Sequence, residues 1–556
     1  MSFCVKLSLA KKLSQALKIN VGPSTVDRIV KNLRLSSQHN GENIHYSLPC
    51  KIIDGFENIN IRGGTQFHID DDNVILPVDK TEFITQVLTS TGDKHVYKTQ
   101  LNCTDKVVVE FSSPNIAKPF HVGHFRGTVL GNFVANLSNY FANNVVCLNY
   151  LGDWGTQFGL LQIGLNELNI KHTDLEQSPL DVLYKAYVKA NDLAKINPDV
   201  QEQASNIFQQ LECGKNTLHT KDWLDFQQVT LNELRGTYER LGIHFNEYHW
   251  ESDYAARKIT PILTDLHNLS QVIKEADHLM LPVGDRNITL VKSNGSTMYI
   301  TRDVAAAIDR QKRYQFSKML YVTDLSQENH FKDLVHILDL LGYPWHSHIE
   351  HIRYGKVQGM STREGKGVFL KDLLDEARDR MYVKQKESKT TRVSLDDTGV
   401  SDTLGMSALI VYNLKIRRLK SYNFNWDECL HMSGDGGVKL QYSHCRLVSL
   451  AQECNAIQPP DHCDPKLLAE PVALQLILDI ARFDEVLYQA HESYDSSIVV
   501  RYLFNLTNSI NKALKQLQVK AAEYHVSQHR LLLFNKARLV LNQGMCVLGL
   551  KPLDKM

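Results

Sequence analysis

At 556 residues the chain exceeds the size of a single hydrophobic core, so we expect two to four domains. Lysine plus arginine equal aspartate plus glutamate at 62 each, so no net charge draws the chain toward nucleic acid, and any such binding must depend on local patches. The sequence lacks an apolar run of about 18 residues, which argues against a membrane partner, and its ten cysteines form no C-x-x-C pair, which argues against a zinc ribbon. Three of them recur every nine residues, a spacing that matches no ordinary zinc pattern: Cys445, Cys454 and Cys463.

The first segment of the chain allows two interpretations. Residues 1–20 are basic and contain serines, and no acid precedes Asp27, which is the bias of a mitochondrial targeting segment. Four apolar residues there also form a stripe at helical spacing: Val5, Leu9, Leu13 and Leu17. The alternative is therefore the first helix of an N-terminal domain. The remainder of residues 1–100 alternates short apolar runs with polar turns, which predicts a small α+β domain.

The run from Val107 to Phe111 is apolar and β-branched with one acid, which predicts a parallel strand buried on both faces. A Ser-Ser-Pro-Asn turn and a helix follow it. His121 and His124 therefore lie near the start of a helix beyond the carboxyl end of a strand, where unpaired N–H groups attract phosphate. Gly123 between them leaves room for a nucleotide. The alternative is a pair of ordinary surface histidines or half a zinc site.

Val145 to Leu151 predicts a second buried strand, which completes a β-α-β unit. The glycines on either side of Asp153 and Trp154 predict a tight turn, in which Trp154 lines the pocket or anchors the core. Residues from about 160 to 280 are expected to form a charged, helical insertion. A second half-sheet is predicted at Met298–Ile300 and Met319–Val322.

Asp303 is predicted to open the helix between those two strands, with Tyr299 four residues earlier at the end of a strand. An acid fixed at such a junction, with a phenol nearby, can bind a cationic amino acid head-on. The alternative is that Asp303 serves only as the N-cap of the helix.

Beyond about residue 376 the pattern becomes helical, with predicted helices at Val472–Leu487, Ile498–Leu517 and Arg530–Leu548. A cluster of four cations precedes them: Lys415, Arg417, Arg418 and Lys420. These charges either follow an RNA backbone or form a solvated helix face.

Several segments resemble the arginyl-tRNA synthetases, a family of class I aminoacyl-tRNA synthetases. They are S-S-P-N-I-A-K-P-F-H-V-G-H at 112–124, L-N-Y-L-G-D-W-G-T-Q-F-G at 148–159, Y-I-T-R-D-V-A-A-A-I-D-R at 299–310 and G-D-G-G-V-K-L-Q-Y-S-H-C-R at 434–446. Residues 357–366 resemble a degenerate form of the mobile Lys-Met-Ser-Lys-Ser signature, with Gly359 in place of the first lysine and Glu364 where basic residues are frequent.

The resemblance implies an α/β fold, with a Rossmann-like parallel-sheet class I synthetase core at 101–375 that carries the insertion at about 160–280. It implies an N-terminal α+β domain at 1–100 that contacts the elbow of tRNA. A helical connecting region at 376–440 leads to an all-helical, C-terminal anticodon-binding bundle at 441–556.

The resemblance also implies an arginine–tRNA ligase. ATP with Mg²⁺ and L-arginine would give arginyl adenylate and pyrophosphate, and arginine would pass to the 3′-terminal ribose of tRNA(Arg). Activation should await tRNA binding, and no tightly held, protein-ligated metal is expected. The pattern is nearest the mitochondrial type, which implies a monomer in the mitochondrial matrix, with the cytoplasm as the alternative.

Residue roles are carried over on the same basis. The catalytic set is His121, His124 and Lys118, in which Lys118 compensates for the degenerate loop. The ATP-binding set adds Gly123, Met360, Ser361 and Arg363 to these three. The arginine-binding set is Glu110, Ser113, Asn115, His124, Tyr299, Asp303 and Gln327. Candidates for stacking on the anticodon loop are Tyr488, Tyr494, Tyr502 and Phe504.

Two other functions are compatible with parts of the sequence. The altered loop at 357–366 would suit a non-catalytic RNA-binding paralogue, although the histidines and the acid at 303 are intact. A different class I-like nucleotidyltransferase is the third possibility, and the helical C-terminal region argues against it.

Overall fold

The computed structural model describes residues 3–16, 23–38, 43–53, 67–90, 106–115, 120, 122–141, 144–170, 179–212, 217–254, 259–275, 278–293, 297–359, 369–388, 391–393, 398–431, 434–460 and 462–556. Within these ranges we number the α-helices and the strands in chain order.

The N-terminal region consists of helices packed with an antiparallel sheet of strand order β1-β2-β4-β3. Side chains along β2 alternate between buried and partly exposed, as expected for an antiparallel strand with one face on a core. The bounds are α1 Phe3–Ala16, α2 Pro23–Asn32, β1 Arg34–Gln38, β2 Asn43–Pro49, β3 His68–Asp70, β4 Asn73–Val78 and α3 Lys80–Thr89.

Helix α1 is part of this domain core. Val5, Leu9 and Leu13 are buried in it at helical spacing, and Lys6 donates a 2.7 Å hydrogen bond from Nζ to the carbonyl of Leu33. Removal of this helix would expose the apolar side chains that it covers. The structure therefore supports the interpretation of residues 3–16 as the first helix of the N-terminal domain.

The central part of the chain is built on a parallel sheet of order β12-β11-β5-β6-β7. Numbered along the chain, these strands are arranged 5-4-1-2-3, so the order reverses between β5 and β11, and ligands bind beyond the carboxyl ends of strands at such a point. The bounds of the sheet and its first crossover helix are β5 Lys106–Phe111, α4 Val122–Phe141, β6 Asn144–Leu151, β7 Glu247–Trp250, β11 Lys318–Asp324 and β12 Ile349–Tyr354.

Strand β5 is covered on both faces. Val107, Val109 and Phe111 belong to the core that contains α4 and the C-terminal helices, whereas Val108 belongs to a second core on the other face. Because residues 107–111 of this strand are all buried, the sequence shows a continuous apolar run there. The predicted parallel-sheet core is thus confirmed.

The insertion and the second half-sheet differ from the prediction in two respects. Met298–Ile300 is not a strand, because the helix begins at Tyr299. The end of the segment at about 160–280, predicted to be helical, contains β7, β8 and the start of β9, and these last two strands belong to a small antiparallel sheet of order β10-β9-β8. The bounds are α5 Thr156–Glu167, α6 Pro179–Ile196, α7 Asp199–Glu212, α8 Thr217–Arg240, α9 Thr260–Asn268, β8 Ile273–Glu275, β9 His278–Val283, β10 Arg286–Val291, α10 Tyr299–Tyr314 and α11 Glu328–Leu340.

The C-terminal region is helical apart from the short parallel pair β13 and β14. Residues Val472–Leu487, predicted as one helix, belong to two. The first ends at Ala481 and the second begins at Phe483, with Arg482 as the cap residue between them. The bounds are β13 Val357–Gln358, α12 Leu370–Glu387, α13 Thr398–Leu414, β14 Tyr422–Asn423, α14 Trp426–Cys429, α15 Gly437–Glu453, α16 Pro471–Ala481, α17 Phe483–Ser493, α18 Ser496–Gln516 and α19 Tyr524–Val547.

The N-terminal domain packs directly on this bundle. The backbone N–H of Leu35 donates a 3.0 Å hydrogen bond to the Glu485 carboxylate, and Lys536 donates from Nζ to the carbonyl of Ser90. None of the helices in the described ranges is long and apolar enough to cross a membrane.

Candidate active site at the carboxyl edge of the parallel sheet

The turn after β5 contains two residues with a positive φ, a backbone conformation that residues other than glycine rarely adopt. Ser112 has a φ of +73° and Ser113 a φ of +39°. Hydrogen bonds hold this conformation: Ser112 Oγ lies 2.7 Å from Thr128 Oγ1 and 2.8 Å from the Tyr238 hydroxyl. Ser113 Oγ accepts from the backbone N–H of Tyr150 and donates to Glu110, both at 3.3 Å. The turn is therefore fixed against α4, α8 and β6 at once.

Asn115 continues this turn toward the neighbouring strand. It forms an isolated parallel bridge with Gly152, whose N–H donates a 3.1 Å hydrogen bond to the carbonyl of Pro114. Asn115 thus lies where β6 ends, at the same edge of the sheet as Ser113.

Helix α4 begins next to this turn and carries Gly123 and His124 in its first turn. Gly123 is exposed, and the partly buried His124 ring stacks on Phe120 with 5.6 Å between ring centres. The predicted location of His124, after the carboxyl end of a strand, is confirmed. Its role toward phosphate stays a prediction.

Several predicted nucleotide-binding residues lie outside the described ranges: Lys118, His121, Met360, Ser361 and Arg363. Glu364, the acid in the second signature, lies outside them too. The described residues that border them are connected, because the N–H of Leu370 donates a 2.8 Å hydrogen bond to the carbonyl of Phe120. Leu370, the first residue of α12, therefore lies beside Phe120, which precedes α4.

Tyr299 and Asp303 lie on α10, one helical turn apart. Met298 is the N-cap residue of this helix and Asp303 is in its second turn, so the interpretation of Asp303 as the N-cap is wrong. The Asp303 carboxylate instead lies 2.7 Å from His330 Nε2 of α11. Burial alone would lower the pKa of His330, but the hydrogen bond to Asp303 raises it above its ordinary value.

The phenol of Tyr299 reaches across to the first half of the sheet. Its side chain is 48% exposed, and a methyl group added at Gly155 would lie 3.6 Å from its hydroxyl oxygen. Gly155 also has a φ of +128°, which favours glycine at this turn. Arg302 lies 4.9 Å from the centre of the Tyr299 ring and pairs with Glu251 at 2.7 Å. The two halves of the sheet thus approach each other at Tyr299 and Gly155.

Glu110 is engaged with a residue of this chain. Its carboxylate is buried and lies 2.5 Å from Arg310 Nη1, and the Arg310 guanidinium also stacks over the Tyr150 ring at 4.8 Å. Burial alone would lower the pKa of Arg310, but the Glu110 carboxylate raises it well above its usual value. Glu110 also accepts from Ser113, so it holds the turn that follows β5. Direct contact of Glu110 with an arginine substrate stays a prediction.

Gln327 lies at the third strand end of this edge. It is exposed and is the last residue of a short 3-10 helix, Leu325–Gln327, whose N-cap Asp324 accepts from the N–H of Ser326 at 2.8 Å. The described part of the predicted arginine-binding set therefore comes from the ends of β5 and β11 and from α4 and α10, at one edge of the sheet.

Two buried acids near this edge were not assigned from the sequence. Asp153 accepts from the backbone N–H of Ser252 at 2.9 Å and from its hydroxyl at 2.6 Å, and burial raises the pKa of Asp153 to about 6. Burial also raises the pKa of Glu251 to about 7, against the opposing charge of Arg302. Glu251 follows an edge strand that the sequence did not predict. For Asp153, the sequence indicated only a tight turn, from the glycines on either side of it.

Trp154 is an anchor of the insertion. It is buried, with edge-to-face contacts to Phe208 at 5.3 Å and to Trp223 at 5.5 Å. The sequence allowed Trp154 either to line the pocket or to anchor the core, and the second interpretation is therefore correct.

The four aromatic residues predicted to stack on RNA are buried: Tyr488, Tyr494, Tyr502 and Phe504. That prediction is wrong, because a base can stack only on an exposed ring. Tyr442, on α15, is instead 45% exposed and lines a cavity of about 740 Å³ with Lys439, Arg446 and Lys555.

The four clustered cations follow α13 in a loop and not on a helix face. Arg417 and Lys420 are exposed, while Arg418 donates to the carbonyls of Arg353 at 2.5 Å and Ser493 at 3.0 Å. Arg418 therefore joins the sheet to the bundle, and it is not available to an RNA backbone as predicted.

A parallel sheet of order 5-4-1-2-3, with the family's sequence motifs following its strands, and a helical C-terminal bundle define a class I aminoacyl-tRNA synthetase. The family "tRNA synthetases class I (R), catalytic domain" matches residues 84–426, and "DALR anticodon binding domain" matches residues 440–556. The chain belongs to the arginyl-tRNA synthetase family. It is an arginine–tRNA ligase, which activates L-arginine with ATP and transfers it to tRNA.

Individual relatives agree with this assignment. The chain is 37% identical over 484 residues to the probable mitochondrial arginine–tRNA ligase of Homo sapiens, covering 86% of this chain and 83% of that protein. It is 36% identical over 485 residues to the probable cytoplasmic arginine–tRNA ligase of Dictyostelium discoideum, covering 81% of each. The solved arginyl-tRNA synthetase of Thermus thermophilus has the same fold, with a TM-score of 0.79 at 19% identity over 99% of both chains.

No group of three or more histidine, cysteine, aspartate or glutamate side chains in the described ranges is arranged to hold a metal ion.

Proposed function

We propose that arginine activation takes place between the start of α4 and the start of α10. The observation that carries this proposal is the position of Asp303: an acid one turn after an exposed tyrosine, at the edge where the sheet order reverses. The charge of Asp303 also acts on Glu110 and Tyr150, which belong to the other half of the sheet. A substrate held by Asp303 therefore lies within reach of both halves.

The guanidinium of L-arginine binds Asp303, and Tyr299 covers the aliphatic part of the substrate. Charge-assisted hydrogen bonds between a guanidinium and a carboxylate are strong and directional. Ser113 and Asn115 contact the amino and carboxylate groups, with Gln327 on the β11 side. A substrate without the guanidinium leaves a carboxylate unpaired, so this site discriminates without an editing domain.

ATP binds with its triphosphate at the start of α4. Lys118, His121 and His124 donate to the phosphate oxygens, Gly123 leaves room for the nucleotide, and Met360, Ser361 and Arg363 cover the phosphates from the opposite side. Mg²⁺ enters with ATP and offsets part of the phosphate charge.

Catalysis in this scheme is positioning plus charge stabilisation. The arginine carboxylate attacks the α-phosphate in line, the bond to the β-phosphate oxygen breaks, and pyrophosphate leaves with its charge held by the cationic side chains. No side chain acts as a nucleophile. The terminal ribose hydroxyl of tRNA then attacks the carbonyl carbon of the adenylate and releases AMP.

We propose that the anticodon arm of tRNA(Arg) lies along α15 and α18. Tyr442 offers an exposed ring for stacking, and Arg446 and Lys439 supply positive charge beside it, where each pairs with a side chain amide of α18. A second cavity beyond Lys439, of about 610 Å³, is lined by further cations: Lys415, Arg417, Lys420 and Arg501. The two cavities form one cationic strip, which would follow the RNA backbone.

The chain is proposed to act as a monomer in the mitochondrial matrix. Support comes from the names of relatives at 37% identity, although cytoplasmic enzymes at 34–36% are nearly as similar. Localisation of the tagged full chain, compared in matrix and cytosolic fractions, tests this directly. Recovery in the cytosol alone would contradict it.

The reaction is tested by ATP–pyrophosphate exchange with and without tRNA(Arg). Exchange is expected with L-arginine and tRNA together, and it should fall by about 10³-fold or more with L-citrulline, which has the shape of arginine without its charge. Absence of exchange under every condition would indicate the non-catalytic paralogue. Exchange without any charging of tRNA would indicate a small-molecule ligase.

The Asp303 assignment has a matched control on the same helix. Asp303→Asn should abolish arginine-dependent exchange at ordinary arginine concentrations, whereas Asp309→Asn should not, because Asp309 lies on a different face of α10, where it pairs with Arg313 at 2.8 Å and accepts from the Tyr254 hydroxyl at 3.0 Å. Equal activity of both variants would remove Asp303 from the substrate site.

A further inference from the structure

His330 is the third residue of α11, and its imidazole faces the acid on α10. Nε2 of His330 and Oδ2 of Asp303 are 2.7 Å apart, and the two side chains are 25% and 24% exposed. The His330 ring is held edge-to-face against Phe331 with 5.5 Å between ring centres. The contact is therefore a directed hydrogen bond between partly desolvated groups, and it is stronger than an exposed ion pair.

Other acids near His330 are already engaged. Asp333, on the same helix, pairs with Arg286 of β10, and Glu110 of β5 pairs with Arg310. Both act on His330 through their charge, but Asp303 is the acid that touches it. Among these acids, Asp303 is therefore the one whose binding partner acts most directly on the protonation of His330.

An imidazolium and a guanidinium cannot both use one carboxylate without repelling each other. While the site is empty, a protonated His330 neutralises Asp303. When a guanidinium arrives at the same carboxylate, its charge disfavours the imidazolium, whereas a neutral imidazole can keep donating its Nε2–H to Asp303.

We propose that His330 is a positioning residue for arginine, which holds Asp303 in place and releases one proton when the substrate guanidinium binds. This inference rests on the proposed binding of arginine at Asp303. The proton moves from Nδ1 of the imidazolium to the solvent, and Nε2–H stays on the carboxylate. Arginine affinity then depends on pH through the protonation of His330.

The sign of this dependence follows from linkage. Below the pKa of His330 in the empty site, each arginine bound displaces up to one proton, so the affinity rises with pH by at most tenfold per unit. Above that pKa the imidazole is already neutral and the affinity no longer changes. The steep part lies near and above pH 6.5, because contact with Asp303 raises the pKa of His330 in the empty site.

The test is calorimetric titration of the full chain with L-arginine at pH 6.5 and pH 8.5, each in two buffers of different ionisation enthalpy. We expect a fractional proton release near pH 6.5 and much less at pH 8.5. His330→Asn retains an N–H donor but does not titrate, so it should bind arginine without releasing a proton. His336→Asn, on the same helix, should behave like the natural chain. L-Citrulline should release no proton.

Enzyme kinetics supply a second readout with tRNA present. The KM for arginine in the exchange reaction should lose its pH dependence in His330→Asn while kcat changes little. His330→Ala should raise that KM above the value of the natural chain, because Asp303 then lacks its hydrogen-bond partner. The KM of His330→Asn should lie much closer to that of the natural chain, because the amide still donates to Asp303. Equal proton release by the natural chain and His330→Asn, or a pH-independent KM in the natural chain, would overturn the inference. If Asp303→Asn still binds arginine normally, the proposed arginine site itself fails.

Discussion

The guanidinium of Arg126 lies 4.7 Å from the centre of the Tyr422 ring and donates to the carbonyl oxygens of Arg417 and Arg418 at 3.2 and 3.0 Å. Arg126 is on α4, two residues after His124, and Tyr422 is on β14, which pairs with β13 just before residues 360–368. Arg126 is almost completely buried. One buried cation therefore holds α4 against β14 and the loop that precedes it.

We predict that Arg126→Lys lowers kcat for pyrophosphate exchange by about tenfold or more, because an ammonium cannot serve two carbonyls and stack on a ring as a planar guanidinium does. Arg235→Lys, at an exposed arginine of α8 that lies 5.1 Å from the centre of the Tyr248 ring, should leave exchange unchanged. Measurement of kcat for both variants at saturating ATP, arginine and tRNA decides the matter. Equal kcat values would mean that this contact does not support catalysis.

Lys118→Ala is predicted to lower kcat for adenylate formation by at least about tenfold, since the loop at 357–366 lacks one of the usual lysines and its charge must come from elsewhere. Folding should be unaffected, as judged by the thermal unfolding midpoint. Lys371→Ala, at an exposed lysine next to the end of that loop, is the control. An unchanged exchange rate in Lys118→Ala would remove this lysine from the mechanism.

Gly131→Ala is predicted to destabilise the chain by about 1–3 kcal/mol, the usual range for overpacking. Helix α4 crosses β5 so closely at this point that an added methyl group would lie 2.2 Å from the side chain of Phe111. Gly236→Ala is the matched control, because it lies within a helix and has no neighbour within 4 Å. It should be neutral or stabilise the chain by up to about 1 kcal/mol.

The thermal unfolding midpoint should therefore fall in Gly131→Ala and should stay the same or rise in Gly236→Ala. A similar midpoint for both would mean that α4 can move away from β5. That result would also weaken the geometry proposed for His124.

Tyr442→Ala is predicted to raise the KM for tRNA(Arg) by about 5- to 150-fold, which corresponds to about 1–3 kcal/mol for one stacked base. The KM for arginine should stay constant, since this residue lies on the bundle. Tyr524→Ala, at a ring that is 55% exposed at the start of α19, tests whether any exposed tyrosine has the same effect. If both variants behave alike, the cavity around Tyr442 is not the RNA surface.

Local pattern predicted the parts of the site that depend on one strand or one helix. The strand at Val107–Phe111 and the position of His124 at the start of the following helix were predicted correctly, because burial on both faces gives a continuous apolar run. Tyr299 was predicted on a strand, since Met298 and Ile300 flank it with apolar side chains. The structure has a helix there because the apolar residues continue at helical spacing, from Ile300 to Val304 and Ala307.

Contacts between residues far apart in the chain could not be predicted from the local sequence pattern. Glu110 and Arg310 are 200 positions apart, and only the register of β5 against β11, with α10 packed across them, brings them together. The same is true of the His330 contact with Asp303. The prediction that aromatic residues of the bundle stack on RNA was wrong for a different reason. Tyr488 and Tyr502 are residue types that often bind RNA bases, but their burial depends on how the helices pack.

A structure of the chain with L-arginine and a non-hydrolysable ATP analogue tests the central claim most directly. The account predicts the guanidinium within about 3 Å of the Asp303 carboxylate, with hydrogen-bond geometry, and the triphosphate beside His124 at the start of α4. A guanidinium bound instead at the buried acids Asp153 or Glu251, with Asp303 still facing only His330, would contradict it.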